Sequence, residues 1–229
     1  MYFASKMNIE IGGFNYAVVP ESFARNLWIA GGDTLVVGYD VSHPGKPSRE
    51  EIMSCTPPQK PSVVGVEGHV LNSLFKWMLG LFSRHRGVWP RRVVITRDGV
   101  SEGQHKMVIG EELNAIKEAC EEFARMNGDE SWMPLFTVII TTKRHNARFF
   151  VRSGSELFVS GTFLQGTARP TSYQVIVDEN EMSSDELQSL MLALTFHHQI
   201  SNAPVSLPEP IYQADEWAKR GKDIWKAYT

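Results

Sequence analysis

Two runs of β-branched residues constrain the fold of this chain more than any other feature. "TLVVGYDVSHPG" (34–45) and "VVITRDGVSEGQ" (93–104) are apolar with little alternation, and each carries one acid, Asp40 or Asp98, just before a glycine or proline breaker. A strand wetted on one face alternates apolar and polar residues, whereas a continuous run suits a strand covered on both faces. Further β-rich runs lie at 62–66, 136–142, 156–160 and 173–178, and the first two cover 35–41 and 92–98. Helical patterns fall between them. Val70, Leu71, Leu74, Phe75, Met78 and Leu79 mark one helix, and Leu113, Ile116, Cys120 and Phe123 a second with acids and Lys117 outside. Ser183 and Glu186 form a capping-box pattern ahead of Leu187, Leu190, Met191 and Leu194. This order of strands and helices predicts an α/β fold, a sheet with helices on its faces.

Length and charge narrow the classes further. A chain of 229 residues makes one large domain or two small ones. No apolar run is long enough to span a bilayer, so no membrane partner is expected. Cys55 and Cys120 give no disulfide framework, which points to a reducing compartment. A net charge of −3 leaves nucleic-acid binding to a local basic patch. Residues 44 to 61 hold five prolines and no periodicity, and are expected as a loop.

If the strands ending at Asp40 and Asp98 are parallel neighbours, both carboxylates emerge at one sheet edge, where open α/β sheets place their sites. Two carboxylates brought together repel unless a positive group sits between them. Divalent Mg or Mn would serve: hard cations take oxygen ligands, and ion pairs ~3.5–4 Å apart support phosphodiester hydrolysis. The bland alternative is that each Asp merely makes a strand-end turn. Lys143, Arg144 and Arg148 follow one strand and Arg169 sits in "QGTARP", a cluster able to neutralise backbone phosphates without reading sequence.

The segments "GYDVSHP", "RDGVSEGQ", "KRHNARFF" and "LQGTARPTSYQVIVDEN", followed by "SSDELQ", resemble in this order the signatures of the PIWI domain of eukaryotic Argonaute proteins. Residues 1 to 33, with "KMNIEIGG", resemble the junction of the MID and PIWI domains, leaving 34–229 as PIWI. The resemblance implies a ribonuclease H-like mixed sheet flanked by helices. It also implies a metal-dependent endonuclease that cuts target RNA paired to a small guide RNA, acting in gene silencing in the cytoplasm and also the nucleus. Carried over by residue, Asp40 and Asp98 match two catalytic, metal-binding aspartates. Asp215, in "PEPIYQADEW", takes the place of a third, where many animal relatives have His. A fourth acid is expected from a loop that is short or missing here, and Glu67 is the nearest candidate. Lys143, Arg144, Arg148 and Arg169 fall in the guide and target channel, Ser206 and Tyr212 near guide phosphates, and Lys6 in the pocket for the guide's 5′ phosphate. Glu10, His198 and Ile200 depart from the family at guide-facing positions. In animal relatives the face away from the site receives tryptophans from Gly-Trp-repeat scaffold proteins, and Phe82 is the apolar candidate for such a pocket. Two alternatives stay open: a guide-binding Argonaute that silences by recruiting partners without cutting, and a guide-independent nuclease of the same fold.

Overall fold

The computed structural model describes residues 31–40, 68–143, 171–201 and 203–228. Four strands form one sheet: β1 (Thr34–Tyr39), β2 (Arg92–Asp98), β3 (Leu135–Thr142) and β4 (Ser172–Asp178), in the order β1-β2-β3-β4. The first three are parallel; β4 runs antiparallel to β3, with a register shift at Val138/Ile139. The sheet is therefore mixed, as expected. The runs at 62–66 and 156–160 and the proline-rich loop 44–61 lie outside the described residues.

Parallel neighbours need crossover connections rather than tight turns, and helices supply them. α1 (Gly68–Arg86) lies between β1 and β2. Between β2 and β3 the chain makes a 3-10 turn, a short helical turn, a π-helical turn (Val108–Glu112) and then α2 (Leu113–Met126). α3 (Ser184–Thr195) opens on the expected capping box: Ser183 Oγ accepts from the Glu186 N–H, and Glu186 Oε2 accepts from the Ser183 N–H at 2.9 Å. α4 (Glu209–Tyr228) closes the described fold.

Strand alternation divides the core in two. Val37, Tyr39, Val93, Ile95, Phe136, Val138 and Ile140 pack against Leu71, Phe75 and Leu79 of α1 and Leu113, Ile116 and Cys120 of α2. Val94 and Ile139 face the other way, onto Leu190, Met191 and Leu194 of α3. Residues Val93 to Arg97 are all buried, which accounts for the missing alternation in that run. On α1 the apolar pattern is only half informative. Leu71, Phe75 and Leu79, at i, i+4 and i+8, meet the sheet and α2, while Val70, Leu74 and Trp77 point outward and are exposed. Apolar residues cover more than half of the helix's circumference, so sequence cannot single out which part of that wide face is buried.

α4 sits unusually close to β1. A Cβ added to Gly38 would lie 2.3 Å from the Pro210 carbonyl carbon and 2.5 Å from the Ile211 nitrogen, both backbone atoms. Only glycine allows the start of α4 to rest on the strand there.

Candidate active site

The register of β1 and β2 decides where the two strand-end acids go. Tyr39 pairs with Arg97, so Asp40 and Asp98 occupy the next row at the C-terminal edge of adjacent parallel strands. Alternation sends the side chain of Asp98, like those of Val94 and Thr96, toward the layer of α3 and α4. It sends Arg97, with Val93 and Ile95, under α1 and α2.

A guanidinium buried there needs a counter-charge. Glu112 supplies it: its Oε1 and Oε2 accept from Arg97 Nη2 and Nε, both at 3.2 Å, and Oε2 also accepts from the Tyr39 hydroxyl at 2.6 Å. Arg97 Nη1 donates to the Asp98 carbonyl and lies 4.0 Å from Asp40 Oδ1. The guanidinium is also 5.0 Å from the centre of the Tyr39 ring. Burial pushes the Tyr39 hydroxyl far up, and the Glu112 charge adds to the shift, so Tyr39 acts as a neutral donor. This network sits directly behind the acidic edge and fixes the backbone that carries Asp98. Gly99, in the left-handed region at φ 77°, ends the strand, and its N–H donates to Asp98 Oδ1 at 2.7 Å.

α4 brings in the third acid. With its first turn seated on Gly38, the helix places Asp215 beside the end of β3. Asp215 Oδ2 accepts from Lys143 Nζ at 3.0 Å and from Lys219 Nζ at 2.9 Å, and Lys143 Nζ lies 3.9 Å from Asp98 Oδ2. One ammonium therefore bridges the two carboxylates. Burial raises the Asp98 pKa; the Gly99 N–H and Lys143 oppose that, and the charges of Asp40 and Asp215 add to it. For Asp215 burial also pushes upward, but the hydrogen bonds from Lys219 and Lys143 outweigh it and the net shift is down. A cleft of about 450 Å³ opens over these groups, lined by Asp98, Thr141, Lys143, Asp215 and Lys219 among others. Thr141, the cross-strand partner of Asp98, has a buried hydroxyl oxygen with no hydrogen-bond partner among the described residues.

The structure thus gathers Asp40, Asp98, Asp215 and Lys143. Ser206 is exposed, and its carbonyl accepts from the Thr171 hydroxyl at 2.8 Å. Tyr212 lies one turn before Asp215 on α4, its ring 4.6 Å from that of His198, which pairs with Glu209 at 3.0 Å. Lys6, Glu67, Arg144, Arg148 and Arg169 lie outside the described residues. Sequence reasoning passes over Glu112, Tyr39 and Lys219. Glu112 has a signal: it falls four residues after Val108 and four before Ile116, an acid at the spacing of an apolar face. Among the described residues no group of three or more His, Cys, Asp or Glu is arranged to hold a metal ion.

An α/β sheet whose parallel strands end in acids, closed by a helix bearing a further acid, defines a class of fold and a class of site. The chain belongs to the Piwi domain family, which it matches over residues 3–226. It is 31% identical to protein argonaute 2 of Oryza sativa subsp. japonica over 260 aligned residues, 96% of this chain and 24% of that protein. It is 28% identical to the argonaute protein of Schizosaccharomyces pombe, over 91% of this chain and 28% of the relative. The chain thus spans about a quarter of the length of these curated relatives. Among solved structures, the C-terminal lobe of a budding yeast Argonaute superposes with a TM-score of 0.77 at 24% identity, covering 99% of this chain and 54% of that one. Kluyveromyces polysporus Argonaute, solved with a guide RNA, gives 0.76 at 24% identity over 99% of this chain and 30% of that one. The fold is that of the Argonaute PIWI lobe, which is ribonuclease H-like. Among the described residues no helix is long and apolar enough to cross a membrane.

Proposed function

We infer that the chain is the PIWI portion of an Argonaute that holds a small guide RNA on a complementary target RNA and cuts the target with the help of two Mg2+ or Mn2+ ions. Residues 1–33 form the end of the MID domain in this reading, and the protein works in the cytoplasm and nucleus. One observation carries it. Asp40 and Asp98 stand in the same row at the ends of parallel strands, and α4 brings Asp215 within reach of the cation that Asp98 already faces. The fold neighbours add context, since one was solved with a guide RNA and another, from Marinitoga piezophila, with a guide RNA and target DNA.

The donors suit the ions in kind. They are hard carboxylate oxygens, Asp98 and Asp215 already share a cation in Lys143, and Thr141, whose buried hydroxyl has no partner among the described residues, lines the same cleft. Asp40, Asp98 and Asp215 would hold the metal, with Glu67 as the fourth acid. The ions would supply an activated water and charge stabilisation at the leaving oxygen. The chain's own part is positioning: Arg97 and Glu112 hold the Asp98 backbone, and the Gly38 contact sets the depth of Asp215. The Lys143, Arg144, Arg148 and Arg169 group would grip backbone phosphates, with Ser206 and Tyr212 beside the guide and Lys6 at its 5′ phosphate.

A non-cutting, partner-recruiting Argonaute is the second reading, and a specific observation favours it. The alignment with the rice protein covers 260 positions, more than the 229 residues of this chain, so that relative has residues in the aligned region with no counterpart here. A lost glutamate loop would be of this kind. For partners, a shallow apolar pocket of about 230 Å³ between β1 and α1, lined by Leu35, Met78, Leu81 and Phe82 with His85 and Arg86, has the character of a tryptophan-binding hollow, as Gly-Trp-repeat scaffolds would need.

The deciding experiment is cleavage of guide-paired RNA by the guide-loaded parent protein, with Mg2+ against chelator and Asp98→Ala as control. Metal-dependent product absent from the control supports cutting. No product above the control selects the recruiting function, and product without a guide selects a guide-independent nuclease.

A further inference from the structure

We propose that Lys143 is a built-in rival of the divalent cation at the Asp98–Asp215 pair, so that metal binding requires its ammonium to leave. The proposal rests on the metal reading above. Asp98 and Asp215 are mostly buried, with side chains only 16% and 19% exposed, and two such carboxylates cannot be left facing each other without a positive group. The Lys143 ammonium fills that need, at 3.0 Å from one and 3.9 Å from the other, and both contacts use the Oδ2 atom. A divalent ion bound to the same two oxygens would lie within a few ångströms of that ammonium, and the repulsion between them would be large. Both cannot stay.

The geometry gives Lys143 a way out. It is the first residue beyond β3, its side chain is 39% exposed, and its long flexible stem can carry the charge into the open cleft. Lys219 makes a useful contrast. It pairs with Asp215 at 2.9 Å and with Glu216, its neighbour on the same helix, at 3.1 Å and is 59% exposed, so it touches one member of the Asp98–Asp215 pair without joining the two. Lys143 therefore sets the affinity of the site for metal, and Lys219 only trims it. Linkage has a further consequence. Any polyanion that draws the Lys143 ammonium away raises metal affinity, and metal in turn frees the ammonium for the polyanion. Phosphate backbone and divalent ion would then bind cooperatively through a single side chain.

The test is direct Mn2+ binding to the full chain without nucleic acid, read from the electron paramagnetic resonance signal of free aquo-Mn2+. Lys143→Met and Lys143→Gln should each bind Mn2+ about tenfold tighter or more, and Lys219→Met less than about threefold tighter, because Lys143 faces both acids whereas Lys219 faces only Asp215 from a more exposed position. Adding Asp98→Asn to Lys143→Met should abolish the gain. Thermal melts establish that each variant is folded; should the Met variant fail, the Gln variant, which keeps a hydrogen-bonding end, carries the comparison. Unchanged or weaker binding in the Lys143 variants, with binding still lost on Asp98→Asn, overturns the rivalry and leaves the metal site standing. Binding insensitive to Asp98→Asn in every background overturns the metal site and the rivalry with it.

Discussion

Replacing Gly38 with alanine tests whether the seat of α4 builds the site. The new methyl group would sit 2.3 Å from the Pro210 carbonyl carbon, where ordinary van der Waals contact begins near 3.4 Å, so the strand and helix must part by about 1 Å. The obstructing atoms are backbone, so no side-chain rotation relieves the clash. Overpacking of this kind costs roughly 1–3 kcal/mol, and for a chain of this size each kcal/mol lowers Tm by about 2–4 °C. A shift of that size at the start of α4 also carries Asp215 away from Lys143. Their 3.0 Å hydrogen bond would lengthen toward about 4 Å, past the range in which it counts as one. Gly38→Ala should therefore lower the urea midpoint, and Asp215→Asn should cost less in that background than in the parent. A stability loss under about 0.5 kcal/mol, with additive effects of the two substitutions, would refute the close seating of α4 as the device that positions Asp215.

Three further outcomes rest on the same contacts and their neighbours. Glu112→Gln takes from the buried Arg97 its hydrogen-bonded counter-charge, leaving only Asp40 at 4.0 Å, and should cost about 3–5 kcal/mol in chemical denaturation, while Arg97→Met combined with Glu112→Leu should recover much of that; a loss below about 1 kcal/mol in the single variant would contradict the network. The Cys120 thiol is fully buried and pushed up to about 12, so iodoacetamide should label it only in denaturant, as read by peptide mass spectrometry. His197 is held below its ordinary value of 6.5 by burial, with Glu209 opposing, so the unfolded chain takes up the proton first. Stability should be level above that value, fall as the pH drops through it, and level again below the folded pKa, and His197→Gln should flatten this part of the profile.

How much of this is legible in the sequence depends on how local each signal is. Asp40 and Asp98 can be paired because uninterrupted β-branched runs imply buried, parallel strands, and parallel register puts their ends in one row. Cys120 and the Leu190–Leu194 stripe fall where helical spacing puts them. Asp215 has no such signal, since the clash-free approach that brings it to the sheet belongs to Gly38, far away in the chain; only the likeness of "PEPIYQADEW" to a family motif singles it out. Lys143 does lie just past a strand end, but its partners in the fold are two acids, which spacing cannot reveal. Glu112 does fall at the spacing of the apolar face, but an acid there reads equally well as a break in the stripe, and its partner Arg97 lies on another element, behind a π-helical turn.

That turn changes what kind of alteration the segment between Asp98 and Leu113 can absorb. Five residues, Val108–Glu112, are wound more loosely than the helix they lead into, and the slack lets Glu112 meet Arg97 while Leu113 and Ile116 still face the core. Removing one residue upstream would rotate the downstream helix by about 100°, and would take either the carboxylate off its guanidinium or the leucine out of the core. Exposed residues such as Glu102, Gly103, Lys106 and Glu111 can be exchanged freely by comparison, since little rests on their side chains. Over this stretch the fold constrains the number of residues more strictly than their identity, so a library of single-residue deletions should be depleted here even at positions where every substitution survives.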